Sequence, residues 1–146
     1  MSTKQLDILL KFERDKEQKL IQELQKAELE HQQNMQRLSS VGDYRLEYMK
    51  RLEQRSLEGI DSATYNHFHA FINKLDNAAE QVQMAVTQAK SLVEKQKSLW
   101  MLQRQKVQAV EKLKKNQMIK LNIKQQRQEQ KMFDEIATQQ FIRRSM

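Results

Sequence analysis

The sequence predicts an all-α protein, a long antiparallel two-helix coiled-coil hairpin with a longer C-terminal helix. The 146 residues contain no proline and only two glycines, so little in the chain interrupts a helix. Charged residues make up 31% of the chain and aromatic residues 6%, which leaves apolar material for a narrow stripe and not for a sizeable core. Apolar residues also recur at alternating steps of four and three, the a and d positions of a coiled coil.

The first helix is predicted over about residues 3–57. From Leu20 the spacing of four and three continues to Leu52, with Ala27 and Leu38 among the stripe residues. Gly42 lies inside this helix and costs about 1 kcal/mol relative to alanine, but the spacing continues on both sides of it. Polar residues at stripe positions set the register at a cost in stability. They are Glu13, Glu17, His31, Asn34 and Arg45 in the first helix, and Gln96 and Gln103 in the second.

A short turn is predicted over about residues 58–61. Gly59 can take the left-handed conformation that follows a helix C-terminus, and Ile60 can make the apolar contact beyond it. Asp61 or Ser62 then caps the second helix. Because so short a connection makes the two helices antiparallel neighbours, residues that face each other should have numbers that add to roughly 119.

The second helix is predicted over about residues 62–142 and is longer than the first. The spacing of four and three restarts at Tyr65 and continues to Val110. Residue 6 should then lie opposite roughly residue 113, which leaves about 30 residues, or about 45 Å of helix, without a facing helix. We expect the chain, residues 1–146, to form a single helical hairpin with this C-terminal overhang.

The net charge of +7 is concentrated where this overhang begins. Residues 104–131 contain nine bases and two acids, whereas the acids and bases in the rest of the chain balance. A solvated helix face would explain the charge, but the lack of a facing helix favours a docking surface. The candidate residues, which we call the basic overhang, are Lys112, Lys114, Lys115, Lys120, Lys124, Arg127 and Lys131.

Three kinds of anionic partner fit a basic helix. Nucleic acid would release counterions, but no aromatic residue lies between Trp100 and Phe133 to stack on bases, so nucleic acid is not expected. An anionic membrane requires a clean apolar face, and the apolar residues of this segment scatter around the helix. An acidic protein surface is therefore favoured. A basic coiled coil that binds nucleic acid or an anionic membrane electrostatically is the alternative function.

A second candidate surface lies near the turn. The pairing rule places Tyr48 level with Phe71 and Tyr44 level with Leu75, so large aromatic rings should lie beside the stripe. One interpretation is that the rings fold over the stripe and widen it. The other is an exposed patch that docks a partner. The candidate aromatic patch consists of Tyr44, Tyr48, Phe71, Leu75 and Ala78.

Catalytic and metal sites find little support in the sequence. It has no Gly-rich phosphate loop, no nucleophile elbow and no H-E-x-x-H pair, so we expect neither an enzyme nor a cofactor. His67 and His69 are two residues apart and point away from each other on a helix, which disfavours a shared metal ion. The chain has no run of about 18 apolar residues, and its early LDILLKF stretch is too short and too flanked by charge for a signal peptide, so we expect a soluble, cytoplasmic protein. The absence of cysteine excludes disulfides and thiolate zinc sites but does not by itself identify a compartment.

Several motifs give the chain a specific resemblance. They are D-Y-x-x-E-Y at residues 43–48, the G-I turn at Gly59 and Ile60, F-x-x-F-I-x-x-L-x-x-A at residues 68–78, Trp100, and Q-K-M-F-D-E at residues 130–135. In these the sequence resembles the FliJ family of bacterial flagellar export proteins. Residues 1–30 match only in helical character.

The resemblance implies a component of the flagellar type III protein export apparatus, required for flagellum biogenesis and motility. FliJ-like proteins bind the ring of the export ATPase FliI, the cytosolic domain of the export-gate protein FlhA, and flagellar export chaperones. The resemblance therefore implies an adaptor that promotes ATPase assembly and export, held at the inner membrane of the flagellar base only through its partners. It assigns the gate contact to the aromatic patch and the ring contact to the basic overhang.

Overall fold

The computed structural model describes residues 1–145 and contains two helices. Helix α1 spans Thr3–Glu58 and helix α2 spans Ser62–Ser145, so the second helix is longer by 84 residues to 56. The two helices pack against each other, and the predicted all-α fold class is confirmed. Within residues 1–145, neither helix contains a stretch long and apolar enough to cross a bilayer.

The chain divides into two compact units. The turn unit is Lys19–Met101, and the terminal unit combines Met1–Gln18 with Leu102–Met146. Each unit contains a segment of α1 and a segment of α2. The expectation of a single domain over residues 1–146 stays a prediction.

The turn itself is built by Gly59 and Asp61. Gly59 has φ 88°, the left-handed conformation that ends a helix without steric cost only when the residue is glycine. The Asp61 carboxylate accepts a hydrogen bond of 3.1 Å from the Thr64 backbone N–H and so caps α2. Hydrogen bonds from Thr64 hold the pKa of Asp61 below its ordinary value, because they favour the charged form.

Within the turn unit, the predicted stripe is the contact between the helices. Its most buried apolar residues are Ala27, Leu52, Ile72 and Ala89, and Asn34 is buried with them. Arg45 had been placed on this stripe, but the structure shows it exposed, with its guanidinium 2.6 Å from the Asp76 carboxylate. The guanidinium stays hydrated at the margin of the contact, because the free energy of removing it from water exceeds what one ion pair contributes.

The terminal unit has its own small core. Leu6, Leu10, Val107 and Val110 are buried where the start of α1 packs antiparallel on α2. Ion pairs flank this core at Asp7–Lys114, 2.5 Å, and at Arg14–Glu111, 3.2 Å.

Next to this core, polar side chains continue the contact between α1 and α2. The amide of Gln103 donates to the backbone carbonyl of Glu13 at 2.9 Å and to its carboxylate at 2.5 Å. Glu17 is 7% exposed and accepts a hydrogen bond of 3.1 Å from Arg104. These polar side chains have hydrogen-bond partners, so they can specify the register of the two helices without leaving a buried charge unpaired.

Candidate functional site

The aromatic patch is centred on two rings that stack across the helices of the turn unit. The centroids of Tyr48 and Phe71 are 4.3 Å apart with an interplanar angle of 30°. Phe68 joins them, its centroid 6.0 Å from that of Tyr48. Phe71 is 37% exposed, although its neighbour Ile72 is buried, because consecutive helical residues point in different directions. The rings therefore both cover the stripe and present an aromatic surface.

The other predicted patch residues lie around this pair with different exposures. Leu75 and Ala78 are half-buried on α2, and Tyr44 is 57% exposed on α1. Tyr44 precedes Tyr48 by four residues, so both lie on one face of α1. Tyr44 lines an open groove with Val41 and Val82 and is not in the stacked pair.

A cleft of about 470 Å³ opens between the helices next to the stacked rings. Its apolar wall is formed by the three rings of Tyr48, Phe68 and Phe71. Two arginines lie over that wall: Arg51 is 5.5 Å from the ring centroid of Tyr48, and Arg55 is 5.6 Å from that of Phe68. Both distances are in the range of cation–π attraction. The complete lining of the cleft is Tyr48, Arg55, Ala63, Thr64, His67, Phe68 and Phe71.

The two histidines of this region occupy separate environments. His67 lines the cleft, whereas His69 packs edge-on against Tyr65 with 4.5 Å between ring centroids. Among residues 1–145, no group of three or more histidine, aspartate or glutamate side chains is arranged to hold a metal ion.

The residues of the basic overhang divide into two groups within the terminal unit. Lys114 is half-buried and pairs with Asp7 of α1, and Lys112 and Lys115 flank it in sequence. Lys120 and Lys124 line a groove with Met1, which precedes α1, and with Leu6 of α1. Arg127 and Lys131 follow on α2, where every residue in the range 118–145 is exposed. Among residues 1–145, Lys114 is therefore the one residue of the seven that forms an ion pair with α1.

Apolar side chains are also exposed on this part of α2. Met132, Phe133 and Phe141 are each more than 60% exposed. Others are exposed by about half, namely Met118, Ile119, Leu121, Ile123, Ile136 and Ile142. These exposed apolar side chains are candidates for contact with a partner, and those of residues 118–123 scatter around the helix.

Comparison with known proteins identifies the family. The sequence model of the family described as "Flagellar FliJ protein" matches residues 2–146. The chain belongs to the flagellar FliJ family. A flagellar FliJ protein of Salmonella typhi is 29% identical over 113 residues, which cover 77% of each chain. No solved structure matches the chain. Membership in the FliJ family makes the chain a component of the flagellar export apparatus.

Sequence reasoning had not assigned Arg51, Arg55, His67 or Phe68 of this FliJ-family chain to a site. A usable signal was present: Tyr44, Tyr48, Arg51 and Arg55 succeed one another at steps of four, three and four, the spacing of one helix face. Phe68 had been placed only on the stripe. Its half-buried ring forms part of the stripe and part of the cleft wall.

Proposed function

We propose that this FliJ-family protein is an adaptor that links the export ATPase FliI to the export-gate protein FlhA and to flagellar export chaperones. It promotes ATPase assembly and export without catalysing a reaction itself. The supporting observation is that the chain carries two exposed surfaces of different chemistry, the aromatic patch in the turn unit and the basic overhang in the terminal unit. The protein would be cytoplasmic and held at the inner membrane of the flagellar base through its partners.

The gate contact is proposed for the aromatic patch. Rings that are preorganised by stacking lose little side-chain entropy when a partner covers them, and aromatic residues are enriched among interface hot spots. Tyr48 and Phe71 are held in this way at 4.3 Å, and Tyr44 extends the surface by one helical turn.

The gate contact is tested by binding of the FlhA cytosolic domain to Phe71→Ala and to Leu46→Ala. Leu46 is a matched control because it is exposed and lines a different groove of the turn unit. Phe71→Ala should weaken binding by about 2 kcal/mol, the size of an interface hot spot, whereas Leu46→Ala should leave it unchanged. If the two substitutions change the affinity equally, the aromatic patch is not the gate contact.

The ring contact is proposed for the basic overhang and its exposed apolar residues. Positive charge speeds encounter with an acidic surface, and apolar burial then stabilises the complex. An asymmetric helix in contact with a symmetric ring favours some subunit conformations over others, which can promote assembly and ATP turnover.

The ring contact is tested by stimulation of FliI ATPase activity. A chain that ends after Gln126 keeps Met1, Leu6 and Lys124 of the terminal unit. It lacks the exposed apolar residues at the end of α2, which are Met132, Phe133, Ile136, Phe141 and Ile142. We expect this chain to be helical and to have lost most of the stimulation. If it stimulates as well as the intact chain, the residues after Gln126, which include Arg127 and Lys131, have no part in ring activation.

One observation favours a second candidate function, electrostatic binding to a polyanion. Lys120, Lys124, Arg127 and Lys131 succeed one another at steps of four, three and four, so they form a stripe on one helix face. If the stripe binds nucleic acid, the affinity for a DNA duplex will fall steeply and linearly on a plot of log K against log salt. Changing all four residues to glutamine will then reduce that slope. Weak binding without such a slope would exclude this function.

A further inference from the structure

The cleft beside the turn has the size and wall of a side-chain pocket. Its volume of about 470 Å³ lies within the range of about 300 to 1,000 Å³ that is usual for ligand pockets. Three aromatic rings form one wall, and two of them are held by mutual stacking at 4.3 Å. A pocket with a preformed apolar wall favours an apolar or aromatic side chain as its occupant.

The rim of the cleft has the opposite character, because it is positively charged. Arg55 lines the cleft and takes part in none of the ion pairs found among residues 1–145. Arg51 lies one turn away and pairs with Glu47 at 2.7 Å. The Arg55 guanidinium lies over the ring of Phe68 and can still donate two hydrogen bonds to a carboxylate.

No carboxylate is among the described residues that line the cleft. Glu47 is already paired with Arg51. Asp61 receives the Thr64 N–H and lies at the N-terminus of α2, where the helix dipole offsets its negative charge. Glu58 follows Arg55 by three residues on α1 but does not line the cleft. The guanidinium of Arg55 is therefore the charge that lines the cleft.

We infer that this cleft binds an acidic segment of a partner protein, with one large apolar side chain in the pocket and a carboxylate on Arg55. This inference rests on the proposed function and gives the chemistry of the segment that the aromatic patch recognises. A second copy of the chain is the competing occupant, because its exposed Phe133 is followed by Asp134 and Glu135. Self-association of the free chain in analytical ultracentrifugation, lost in Phe133→Ala, would assign the cleft to that copy and overturn the inference.

The inference is tested by fluorescence polarisation with the full chain and three labelled 12-residue peptides. One peptide is acidic with a central phenylalanine, the second is acidic with alanine in its place, and the third is basic with the phenylalanine. We expect the first peptide to bind roughly tenfold more tightly than either of the others, because only it offers both groups that the cleft recognises.

Variants locate the binding. Arg55→Glu and Phe71→Ala should each weaken the first peptide roughly tenfold. Lys50→Glu is the matched control: it makes the same charge change at an exposed residue of another groove, and it should alter affinity less than about twofold. A chain with Lys120, Lys124, Arg127 and Lys131 changed to glutamine should still bind the peptide, which separates the cleft from the basic overhang. Circular dichroism should show every variant as helical as the original.

Some results would overturn the inference. Equal binding of the two acidic peptides, or equal weakening by Arg55→Glu and Lys50→Glu, would mean that general charge attraction and not the cleft holds the peptide. The FlhA cytosolic domain, measured in parallel, separates this from the proposed function. If that domain binds but the peptides do not discriminate, the acidic-segment inference is wrong and the proposed gate contact stands. If the peptides behave as expected but the domain does not bind, the gate contact is wrong.

Discussion

Phe71 and Ile72 are consecutive residues of α2 with different environments. Ile72 is 4% exposed and Phe71 is 37% exposed. We predict that Ile72→Ala lowers the free energy of unfolding by about 2 to 4 kcal/mol, because it leaves a cavity in the stripe. Phe71→Ala should lower it by about 1 kcal/mol, mainly through the lost stacking on Tyr48. Urea unfolding followed by circular dichroism measures both values. Similar losses for the two variants would mean that Phe71 belongs to the core.

Asp61 is the residue whose ionisation supports the turn. Its pKa is lowered by hydrogen bonds from Thr64, so the folded state favours the carboxylate. The cap therefore contributes its full stability above the ordinary aspartate pKa of about 3.9, and loses it as the pH falls through the lower folded value.

The resulting prediction is a pH-dependent start of α2. In an NMR titration, the Asp61 carboxyl should titrate below the ordinary value, and the helical chemical shifts of residues 62–65 should decline with it. Asp61→Asn keeps an acceptor for the cap but does not titrate, so in that variant the shifts should not respond over this pH range. An ordinary midpoint for Asp61 would contradict the cap.

At the scale of the elements, the two glycines have opposite roles. Gly42 lies inside α1 with no atom within 4 Å of an added Cβ, whereas Gly59 ends α1 with φ 88°. We predict that Gly42→Ala raises the free energy of unfolding by about 0.5 to 1 kcal/mol, since alanine restricts the unfolded chain and favours helix. Gly59→Ala should lower it by about 1 to 2 kcal/mol, because an L-residue is strained there. Thermal unfolding of the two variants compares them, and a gain for Gly59→Ala would contradict the turn.

The arginines of the terminal unit allow a second comparison at this scale. Arg104 pairs with Glu17, which is buried, whereas the pair Arg14–Glu111 is exposed on both sides. We predict that Arg104→Ala destabilises the packing of residues 3–18 by about 1 to 2 kcal/mol, since it leaves a buried carboxylate without its partner. Arg14→Ala should cost less than about 0.5 kcal/mol. Amide hydrogen exchange of residues 3–18 reports both effects, and equal protection in the two variants would contradict this view.

At the scale of the whole molecule, the position of the charge matters more than its net value. If the basic overhang steers the protein to the ATPase ring, the association rate constant should fall about tenfold between low and physiological salt, with less change in the dissociation rate. Changing Lys120, Lys124, Arg127 and Lys131 to glutamine should slow association at low salt and flatten its salt dependence. Stopped-flow kinetics measures both.

A matched variant controls for total charge. Changing four exposed lysines of the turn unit to glutamine removes the same charge from another part of the chain; these are Lys26, Lys50, Lys90 and Lys95. It should slow association much less, since none of these four lysines belongs to the basic overhang. If both fourfold variants slow association equally, the steering depends on the net charge of the chain and not on the basic overhang.

The sequence by itself determined the elements and the face that each one buries. Helix geometry is local, so a spacing of four and three is enough to place Leu52, Ile72 and Ala89 on one buried stripe. The short turn with Gly59 similarly fixed antiparallel neighbours, and the pairing of Tyr48 with Phe71 followed from counting residues away from that turn.

Only the tertiary structure decided which charges find partners and where the surface is concave. Arg45 lies outside the stripe and pairs with Asp76, and Lys114 pairs with Asp7. The guanidinium of Arg55 lies over the ring of Phe68. These contacts depend on side-chain rotamers and on the distance between the two helices. The spacing of apolar residues along one helix gives information on neither. A cleft is likewise a gap between two packed surfaces, so it exists only once both helices are in place.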